Sequence, residues 1–428
     1  MKWKLAWLAV IAAAAVPAAA QVNRSPERQA ATEAGYRATL LRLGIAHMRA
    51  GADGYDKQSP NAVNYDESRA GPSSVLPVLF NKARPTADWW WKTRRPQLKG
   101  LLEDEMYGRV PATAPKIAWQ IISEEHVAKH GVPVIARKYR GTAPGSALAI
   151  DLAVTLPARS QGAVPLILEL GFPEGFRFPG APIPTDPWAA QVLRRGWAYA
   201  IIVPNTIQPD DGAGLSEGVI GAAVGGGPRS EHDWGALRAW AWGASKALDL
   251  FLTEPRIDAK RVAVEGLSRY GKAALVTMAF DQRFSLGFIG SSGAGGAKPL
   301  RRDFGERLEN LTASGEYHWF APAFLRYGGP KTVNDLPFDA HSVIALAAPR
   351  PLFIGAGNLE QDGWVDPKGS AIAAQEALPV YPVLGAPEDC VVFRQHEGGH
   401  TNGPNWPAFL DFAEKVWSGR LQCSARQK

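Results

Sequence analysis

The sequence predicts an α/β fold, a three-layer sandwich in which a mostly parallel central sheet lies between helices, preceded by an N-terminal extension. From about residue 117, short β-rich segments alternate with helical ones, and that alternation is typical of parallel sheets covered by helices. Ser268 stands directly between such a strand and a helix, where open α/β sheets place functional side chains. Residues 21–115 lack the alternation. We therefore expect a leader over residues 1–20, an extension over 21–115 that packs on the main domain, and a main domain over 116–428.

Composition sets the broad class of the protein. The chain has 428 residues, of which 46% are apolar and 21% are charged. This profile excludes a disordered or collagen-like chain, and the length suffices for one elaborated domain or for two or three. The formal net charge is +6, but no four Lys or Arg residues are consecutive. Binding to nucleic acid is therefore not expected.

The first twenty residues have the pattern of a secretory signal. Lys2 and Lys4 precede an apolar stretch over residues 5–16, and Ala18 to Ala20 supply the small residues of a cleavage site. The alternative is a membrane anchor, but the stretch is shorter than the roughly 20 residues that span a bilayer. We expect cleavage after Ala20, which lowers the formal charge to +4, no membrane association of the mature chain, and a secreted or periplasmic protein.

The extension contains two predicted helices. One covers residues 33–49, and the other begins at Asp88 and runs through Glu103. The second helix carries three adjacent tryptophans, Trp89 to Trp91, which cannot all face one core. Either one of them lines a surface groove, or they pack between the extension and the main domain.

The main domain is predicted element by element from its apolar periodicity. The Gly-rich segment 212–227 is expected to be a mobile loop. Phosphate binding is not expected there, because its three consecutive glycines lack the Lys-Ser/Thr of a phosphate-binding loop. Strands are predicted over residues 148–156, 164–170, 199–203, 261–266, 351–354 and 390–394, and helices over 234–252 and 272–280.

The two cysteines, Cys390 and Cys423, leave two possibilities. In an oxidising compartment they can form one bridge between a late strand and the C-terminal tail. Otherwise they are two unpaired buried thiols. No Cys-x-x-Cys pair exists, so neither a thiolate zinc site nor a redox dithiol is expected.

The candidate nucleophile is Ser268, in the sequence Gly-Leu-Ser-Arg-Tyr-Gly-Lys over residues 266–272. A serine on a sharp strand-to-helix turn is held in an exposed position at the carboxyl edge of the sheet. The following helix N-terminus favours developing negative charge. The strict Gly-x-Ser-x-Gly pattern is not met, because the second glycine comes one residue late. The alternative is a serine that only caps the helix.

The candidate general base is His400. A serine nucleophile needs a neighbouring base, and hydrolases of this type place the histidine after the serine and the acid. Of the histidines that follow Ser268, His400 comes after the last predicted strand, behind two glycines that allow the loop to return to the serine. We expect His341 to make a local hydrogen bond.

Residues 396–400 read His-Glu-Gly-Gly-His, which also matches the zinc-protease string. That string binds metal only on a helix, where positions i and i+4 share a face. Two central glycines after a β-type segment disfavour a helix. We therefore expect no metal, and a structural role for His396.

These residues, together with further motifs along the chain, resemble those of a known family. Gly-x-Ser-Arg-x-Gly-Lys is the signature of the glucuronoyl esterases, which are serine enzymes of the α/β-hydrolase fold, and the resemblance, strongest to the bacterial branch, runs from about Asn64 to Trp417. Further matching motifs are Arg95-Pro96, Tyr107-Gly108-Arg109, Asp233-Trp234-Gly235, Trp240-Ala241-Trp242-Gly243, Gly293-Ala294-Gly295-Gly296, Arg301-Arg302, Phe304-Gly305-Glu306, His318-Trp319-Phe320, Leu336 to His341, Ala348 to Pro351 and Gly399-His400.

The chain departs from the family pattern at the triad acid. Many members carry a glutamate where this sequence has Ser291, and a serine cannot stabilise an imidazolium as a carboxylate does. The acid is then expected in the loop after the strand 351–354. Asp362, in an Asp-x-Trp sequence that some bacterial relatives share, is the first candidate, and Glu360 is the second. Asp366 is expected to cap backbone amides.

The resemblance also implies roles for four other residues. Arg269 would hold the oxyanion through its backbone N–H and its guanidinium, and Lys272, Glu306 and Trp364 would bind the sugar. Lys272 lies four residues after Ser268, on the same helix face. The alternatives are a solvated Lys272, an ion pair between Glu306 and Arg302, and core packing of Trp364.

The activity implied is hydrolysis of an ester between the carboxylate of (4-O-methyl)glucuronic acid and an alcohol, as in the lignin–carbohydrate links of glucuronoxylan. No metal or organic cofactor is implied, and we expect a monomer. Two other functions stay open. One is a secreted acetylxylan or general acyl esterase with the same triad. The other is a carbohydrate-binding homologue that has lost catalysis with the glutamate at position 291.

Overall fold

The computed structural model describes residues 25–71, 76–177, 184–225 and 227–423. The predicted leader lies outside these ranges. A nine-stranded sheet forms the centre, with strand order β1-β2-β3-β5-β4-β6-β7-β8-β9. The six strands from β5 to β9 in that order are mutually parallel, and β1, β2 and β3 extend the sheet with antiparallel pairing. The fold is the predicted α/β-hydrolase sandwich.

The strands are β1 Ala118–Lys129, β2 Val132–Thr142, β3 Ala149–Pro157, β4 Val164–Leu170, β5 Ala198–Ile202, β6 Ile257–Leu267, β7 Leu286–Gly290, β8 Leu352–Ala356 and β9 Val391–Gln395. The α-helices are α1 Pro26–Arg42, α2 Ala87–Trp89, α3 Arg95–Leu102, α4 Trp188–Arg194, α5 Pro204–Ile207, α6 Gly218–Val224, α7 Ala236–Phe251, α8 Arg269–Phe280, α9 Leu308–Leu311, α10 Ala340–Ala347, α11 Leu359–Asp362, α12 Pro367–Ala377, α13 Val380–Val383 and α14 Trp406–Trp417.

The two faces of the sheet bury different cores, because successive strand residues point to opposite sides. Val262 and Val264 of β6 join a core with α7, α8 and α10. Ala263, between them, faces a second core that contains Trp406 and Phe409 of α14. The carboxyl ends of the central parallel strands lie at one edge of this sandwich, where loops carry functional side chains.

Three predicted elements need correction. The first helix is α1, residues 26–42, not 33–49, since the side chain of Ser25 caps its start. The segment 212–227 is not a mobile loop over its described part, because it contains a 3-10 turn and the helix α6. Helix α8 begins at Arg269, three residues earlier than predicted.

The adjacent tryptophans of the extension do not share one environment. Trp90 is fully buried in the first core, while Trp91 stays partly exposed and lies beside Arg95. Helix α3 continues the same helical stretch through two π-helical turns, at residues 90–94 and 103–107.

The C-terminal segment is tied to the sheet by a disulfide. Cys390, just before β9, bonds to Cys423 after α14, which confirms the bridged alternative. Over the described ranges, no helix has the length and apolar character needed to cross a bilayer.

Candidate active site

Ser268 occupies a strained turn between β6 and α8. Its φ of 87° and ψ of −119° lie in a region that side-chain-bearing residues rarely adopt. A Cβ on Gly266 would lie 2.3 Å from the Tyr270 carbonyl oxygen, and a Cβ on Gly271 would lie 2.5 Å from that of Gly290. The late second glycine therefore still meets a steric demand of the turn, because it allows α8 to pass closely over β7.

His400 and Asp362 are joined by a hydrogen bond of 2.7 Å between Nδ1 and Oδ1. Asp362 follows β8 and His400 follows β9, so the sheet brings both to the edge where Ser268 lies. The other carboxylate oxygen of Asp362 accepts bonds from the Gly357 N–H, at 2.8 Å, and the Ser291 hydroxyl, at 2.6 Å. Asp362 is buried, and these donors fix its orientation.

Glu360, the second candidate acid, lies on the exposed side of α11. It makes no hydrogen bond or ion pair within the described part of the chain. Asp366 caps α12 by accepting from the Gly369 N–H at 2.9 Å, as predicted.

All seven predicted site residues line one cavity of about 310 Å³: Ser268, Arg269, Lys272, Glu306, Asp362, Trp364 and His400. Between described atoms, no hydrogen bond joins the Ser268 hydroxyl to His400. Catalytic hydrogen bonds are often loose without substrate and tighten when it binds. The geometry thus brings the three candidate triad residues to one cavity.

The guanidinium of Arg269 is held by the buried carboxylate of Asp210. Asp210 also accepts bonds from His318 Nε2, at 2.9 Å, and Trp319 Nε1, at 2.6 Å. Burial acts to raise the pKa of Asp210, but the charge of Arg269 and these donors hold it well below its usual range. Asp210 therefore stays ionised and fixes Arg269 beside Ser268.

Lys272 and Glu306 form a buried ion pair of 3.0 Å at the cavity wall. Lys272 also donates to the Ser292 carbonyl at 2.8 Å, and Glu306 accepts from the Ala294 N–H at 2.8 Å. The solvated alternative for Lys272 is therefore wrong.

The predicted alternative pairing of Glu306 with Arg302 is also wrong. Arg302 pairs with Asp366 and Glu67. Trp364 lies in the cavity wall, and its carbonyl accepts from the Glu306 N–H at 2.8 Å.

Glu316 lines the same cavity and escaped the sequence analysis. Its Oε2 is enclosed and has no hydrogen-bond partner among the described residues. Burial, followed by the negative charge of Glu306, raises the pKa of Glu316 to about 8. Its position two residues before His318-Trp319 was the available signal, because that motif was already identified.

Of the two remaining expectations for histidines, the one for His396 agrees with the structure and the one for His341 is wrong. His396 makes structural contacts, since its Nε2 lies 2.8 Å from the Thr401 carbonyl oxygen and its Nδ1 accepts from the Gly398 N–H. His341 does not bond locally, because its Nε2 lies 2.8 Å from the carbonyl oxygen of Pro77, far away in sequence.

Comparisons with known proteins agree with this geometry. A family model described as glucuronyl esterase, fungi, matches residues 229–385. The carbohydrate esterase MZ0003, from an unknown prokaryotic organism, is 30% identical over 410 residues, which cover 84% of this chain and 93% of that protein. A 4-O-methyl-glucuronoyl methylesterase of Schizophyllum commune is 27% identical over 391 residues, or 86% of each chain.

Two solved structures extend the comparison to the fold. A CE15 glucuronoyl esterase from Teredinibacter turnerae is 41% identical, with a TM-score of 0.84, and the match covers 90% of this chain and all of that one. A glucuronoyl esterase from Solibacter usitatus is 31% identical, with a TM-score of 0.72 over 82% of this chain and all of that one.

Proposed function

The chain belongs to the glucuronoyl esterases of carbohydrate esterase family 15, and we propose that its Ser268, His400 and Asp362 hydrolyse esters of (4-O-methyl)glucuronic acid. It is accordingly a carboxylic ester hydrolase. The observation that carries the assignment of residues is the shared cavity, in which the Asp362–His400 pair and the strained Ser268 meet the buried Lys272–Glu306 pair.

The first half of the reaction transfers the uronoyl group to the serine. The Ser268 Oγ attacks the C6 carbonyl carbon of the ester, and His400 Nε2 accepts the hydroxyl proton. Asp362 holds the Nδ1 proton of His400 and stabilises the imidazolium that forms. His400 then donates its proton to the departing alkoxide, which leaves as the alcohol and leaves a uronoyl ester on Ser268.

The second half regenerates the enzyme. A water molecule loses its proton to His400 and attacks the same carbonyl carbon, and the proton returns to Ser268 as the acyl–oxygen bond breaks. Both tetrahedral intermediates carry a negative oxygen. The Arg269 N–H and guanidinium are the donors proposed for that oxygen, and each donor of this kind contributes roughly 2.7–4 kcal/mol.

The sugar is proposed to bind on the opposite wall. The charged Lys272 and Glu306 side chains offer a donor and an acceptor to vicinal hydroxyls, and the indole of Trp364 offers an apolar edge and an N–H. Through these contacts the site would recognise the sugar acid of the ester. The proposed natural substrate is the ester link between lignin and the glucuronic acid of glucuronoxylan, and the chain is proposed to act as a monomer.

The site of action is proposed to be outside the cytoplasm. The pattern of residues 1–20 supports export. The Cys390–Cys423 bridge supports the same proposal, since such bonds persist in oxidising compartments.

The test is a comparison of two small esters, benzyl glucuronate and p-nitrophenyl acetate, with the mature chain. We expect turnover of benzyl glucuronate, and its loss in Ser268→Ala. Hydrolysis of the acetate alone would reject the uronate assignment in favour of a general acyl esterase. Hydrolysis of neither ester, with sugar binding retained in both proteins, would identify a catalytically inactive homologue. Galacturonate esters, assayed in parallel, measure selectivity at the sugar.

A further inference from the structure

Two carboxylates stand side by side in the sheet behind the nucleophile. Glu169 of β4 and Glu265 of β6 are direct partners in the parallel register. Adjacent strands lie about 4.8 Å apart, and paired residues point to the same face. That face is the one covered by α14, because Ala263, two residues before Glu265, belongs to its core. Glu265 is 2% exposed.

Glu265 connects this pair to the loop that carries His400. Its Oε1 accepts a hydrogen bond from the Asn402 Nδ2, two residues after His400. Asn402 also donates to the Gly266 carbonyl at 3.5 Å. A Cβ on Gly290 of β7 would overlap the Asn402 amide, at 1.9 Å from its oxygen. Because Gly290 has no side chain, the ends of β6 and β7, just before Ser268 and Ser291, leave room for the Asn402 amide.

No cation compensates the pair. Within the described ranges, neither Glu169 nor Glu265 forms an ion pair with Lys or Arg, and Glu265 Oε2 lacks a hydrogen-bond partner. Burial raises the pKa of Glu169 to about 7. Burial and the charge of Glu169 raise the pKa of Glu265 well above its usual range. Two such carboxyls titrate as a unit and hold a proton where isolated ones would be ionised.

The surrounding elements present few other titratable groups. Strand β5 presents Tyr199, whose hydroxyl donates to Glu174, and Glu174 is already paired with Lys129. Strand β7 presents Phe288, the register partner of Glu265, and Gly290, and neither can titrate. The start of α14 contributes aromatic side chains to this face. The loop itself carries His396, bonded to the Thr401 carbonyl, and His400, bonded to Asp362.

We propose that Glu265 is a positioning residue, which shares a proton with Glu169 and holds the His400 loop over Ser268 through Asn402. The proposal rests on the function proposed above. When the shared proton leaves, two negative charges face each other on adjacent strands, and neither has an ion-pair partner in the described part of the chain. Their repulsion displaces Glu265, the bond to Asn402 weakens, and His400 loses its alignment with Ser268. Turnover then falls at alkaline pH.

The sign of the pH effect follows from linkage. Because the folded-state pKa values of the pair are raised, the stability the pair contributes is present below the usual glutamate pKa of about 4.3 and is lost as pH rises through the folded values. The loss of activity and the loss of stability therefore lie on the same, alkaline side.

The first experiment measures kcat/KM for benzyl glucuronate against pH in the wild type and in Glu265→Gln. The amide keeps an oxygen that accepts from Asn402 but cannot ionise. We expect the alkaline limb of the profile to move to higher pH by about one unit or more. Glu125→Gln, on the exposed β1, is the control and should leave the limb in place. An unmoved limb in Glu265→Gln overturns the proposal.

A second variant separates positioning from charge. Asn402→Ala removes the link and should lower kcat by roughly tenfold to a hundredfold, as small misplacements of a catalytic group do, with KM within about twofold. An unchanged kcat would show that the link does not position His400. Should Glu265→Gln fail to fold, Glu169→Gln carries the same pH test, because either amide removes one of the two carboxyls and with it the repulsion between them.

A third measurement is independent of turnover. Besides the band of Glu316, whose pKa is also raised, infrared difference spectra of the wild type without substrate should show a second protonated carboxyl at pH 7. Glu265→Gln and Glu169→Gln should each weaken or shift this second band, and Glu125→Gln should leave it unchanged. Its absence in the wild type overturns the proposal even where the esterase activity is present. Conversely, if the protein shows this signal but does not turn over uronate esters, the shared proton is supported and the proposed function is rejected.

Discussion

At position 291, a hydroxyl stands where many members of the family have a carboxylate. The Ser291 hydroxyl donates to Asp362, so it contributes a hydrogen bond to the acid instead of supplying the acid itself. Asp362 also receives the Gly357 N–H, and its remaining oxygen faces His400. In the proposed triad the negative charge therefore lies in the loop after β8, and Ser291 helps to fix it there.

Asp362→Asn tests this arrangement at the level of one atom. The amide preserves the shape but presents a donor or an uncharged acceptor to His400 Nδ1, so the wrong tautomer is favoured and the imidazolium loses its counter-charge. We expect kcat for benzyl glucuronate to fall by about 10⁴, the loss seen when this substitution is made in serine protease triads. Glu360→Gln is the matched control, and its kcat should stay within about twofold, because Glu360 is exposed.

The opposite ranking of the two variants would reassign the acid. A large loss in Glu360→Gln together with a small one in Asp362→Asn would show that the loop rearranges when substrate binds. Circular dichroism and thermal unfolding of both variants exclude a folding defect as the cause.

Residue identities were predictable where local sequence carries the chemistry. Ser268 has a strand before it, a helix after it and glycines around it. His400 follows the serine and the candidate acid in the order expected for such a hydrolase. Asp210 and Glu316 were not predictable in this way. Each owes its role to a contact made by folding, Asp210 with Arg269 and Glu316 with the cavity that contains Glu306. No local pattern marks the contact of Asp210, and the only signal for Glu316 was its position two residues before His318-Trp319.

At the scale of elements, the disulfide joins the last strand to the segment after the last helix. Cys390 and Cys423 are separated by 33 positions and both are buried. The bridge closes a loop that contains β9, the His400 loop and α14. A cross-link over such a loop lowers the entropy of the unfolded chain.

The double variant Cys390→Ala with Cys423→Ala should lower the free energy of unfolding by about 3–4 kcal/mol. Urea titration monitored by tryptophan fluorescence measures it. The kcat at 25 °C should change little, since the triad contacts do not involve the bridge. A loss below about 1 kcal/mol would show that the unfolded chain is already compact in this region.

Elements could be predicted when their burial pattern was regular. Strand β4 is buried on nearly every residue and was predicted with its observed bounds. The strands β1 and β2, which form a hairpin, were not predicted. Most of β1 is exposed, including both Ile121 and Ile122, so it shows no alternation of apolar and polar residues. The start of α8 was placed too late because Gly271 resembles a helix breaker in sequence, whereas the structure uses it for close packing.

At the scale of the whole molecule, the N-terminal segment and the catalytic loops form one wall. The Gly305 N–H donates to the Asn64 carbonyl at 2.9 Å, and the Asn64 side chain donates to the Asp303 carbonyl. Residues 303–305 lead directly into Glu306, whose backbone bonds to Trp364. The segment before residue 70 thus supports Glu306 and Trp364, two of the three side chains proposed to bind the sugar. The boundary between the extension and the main domain at residue 115 stays a prediction.

Gly54→Ala tests whether this support shapes the sugar site. A Cβ on Gly54 would lie 3.0 Å from a ring carbon of Trp364, so the indole, which lines the cavity, must shift by a few tenths of an ångström. Overpacking of this kind costs roughly 1 kcal/mol or more. Because the strain falls on a side chain proposed to bind the sugar and not on the proposed triad, KM for benzyl glucuronate should rise about fivefold with kcat nearly unchanged. Gly162→Ala, whose added Cβ meets nothing within 4 Å, is the control. Equal kinetics for the two variants would show that Trp364 adjusts freely and that the N-terminal segment only covers the catalytic loops.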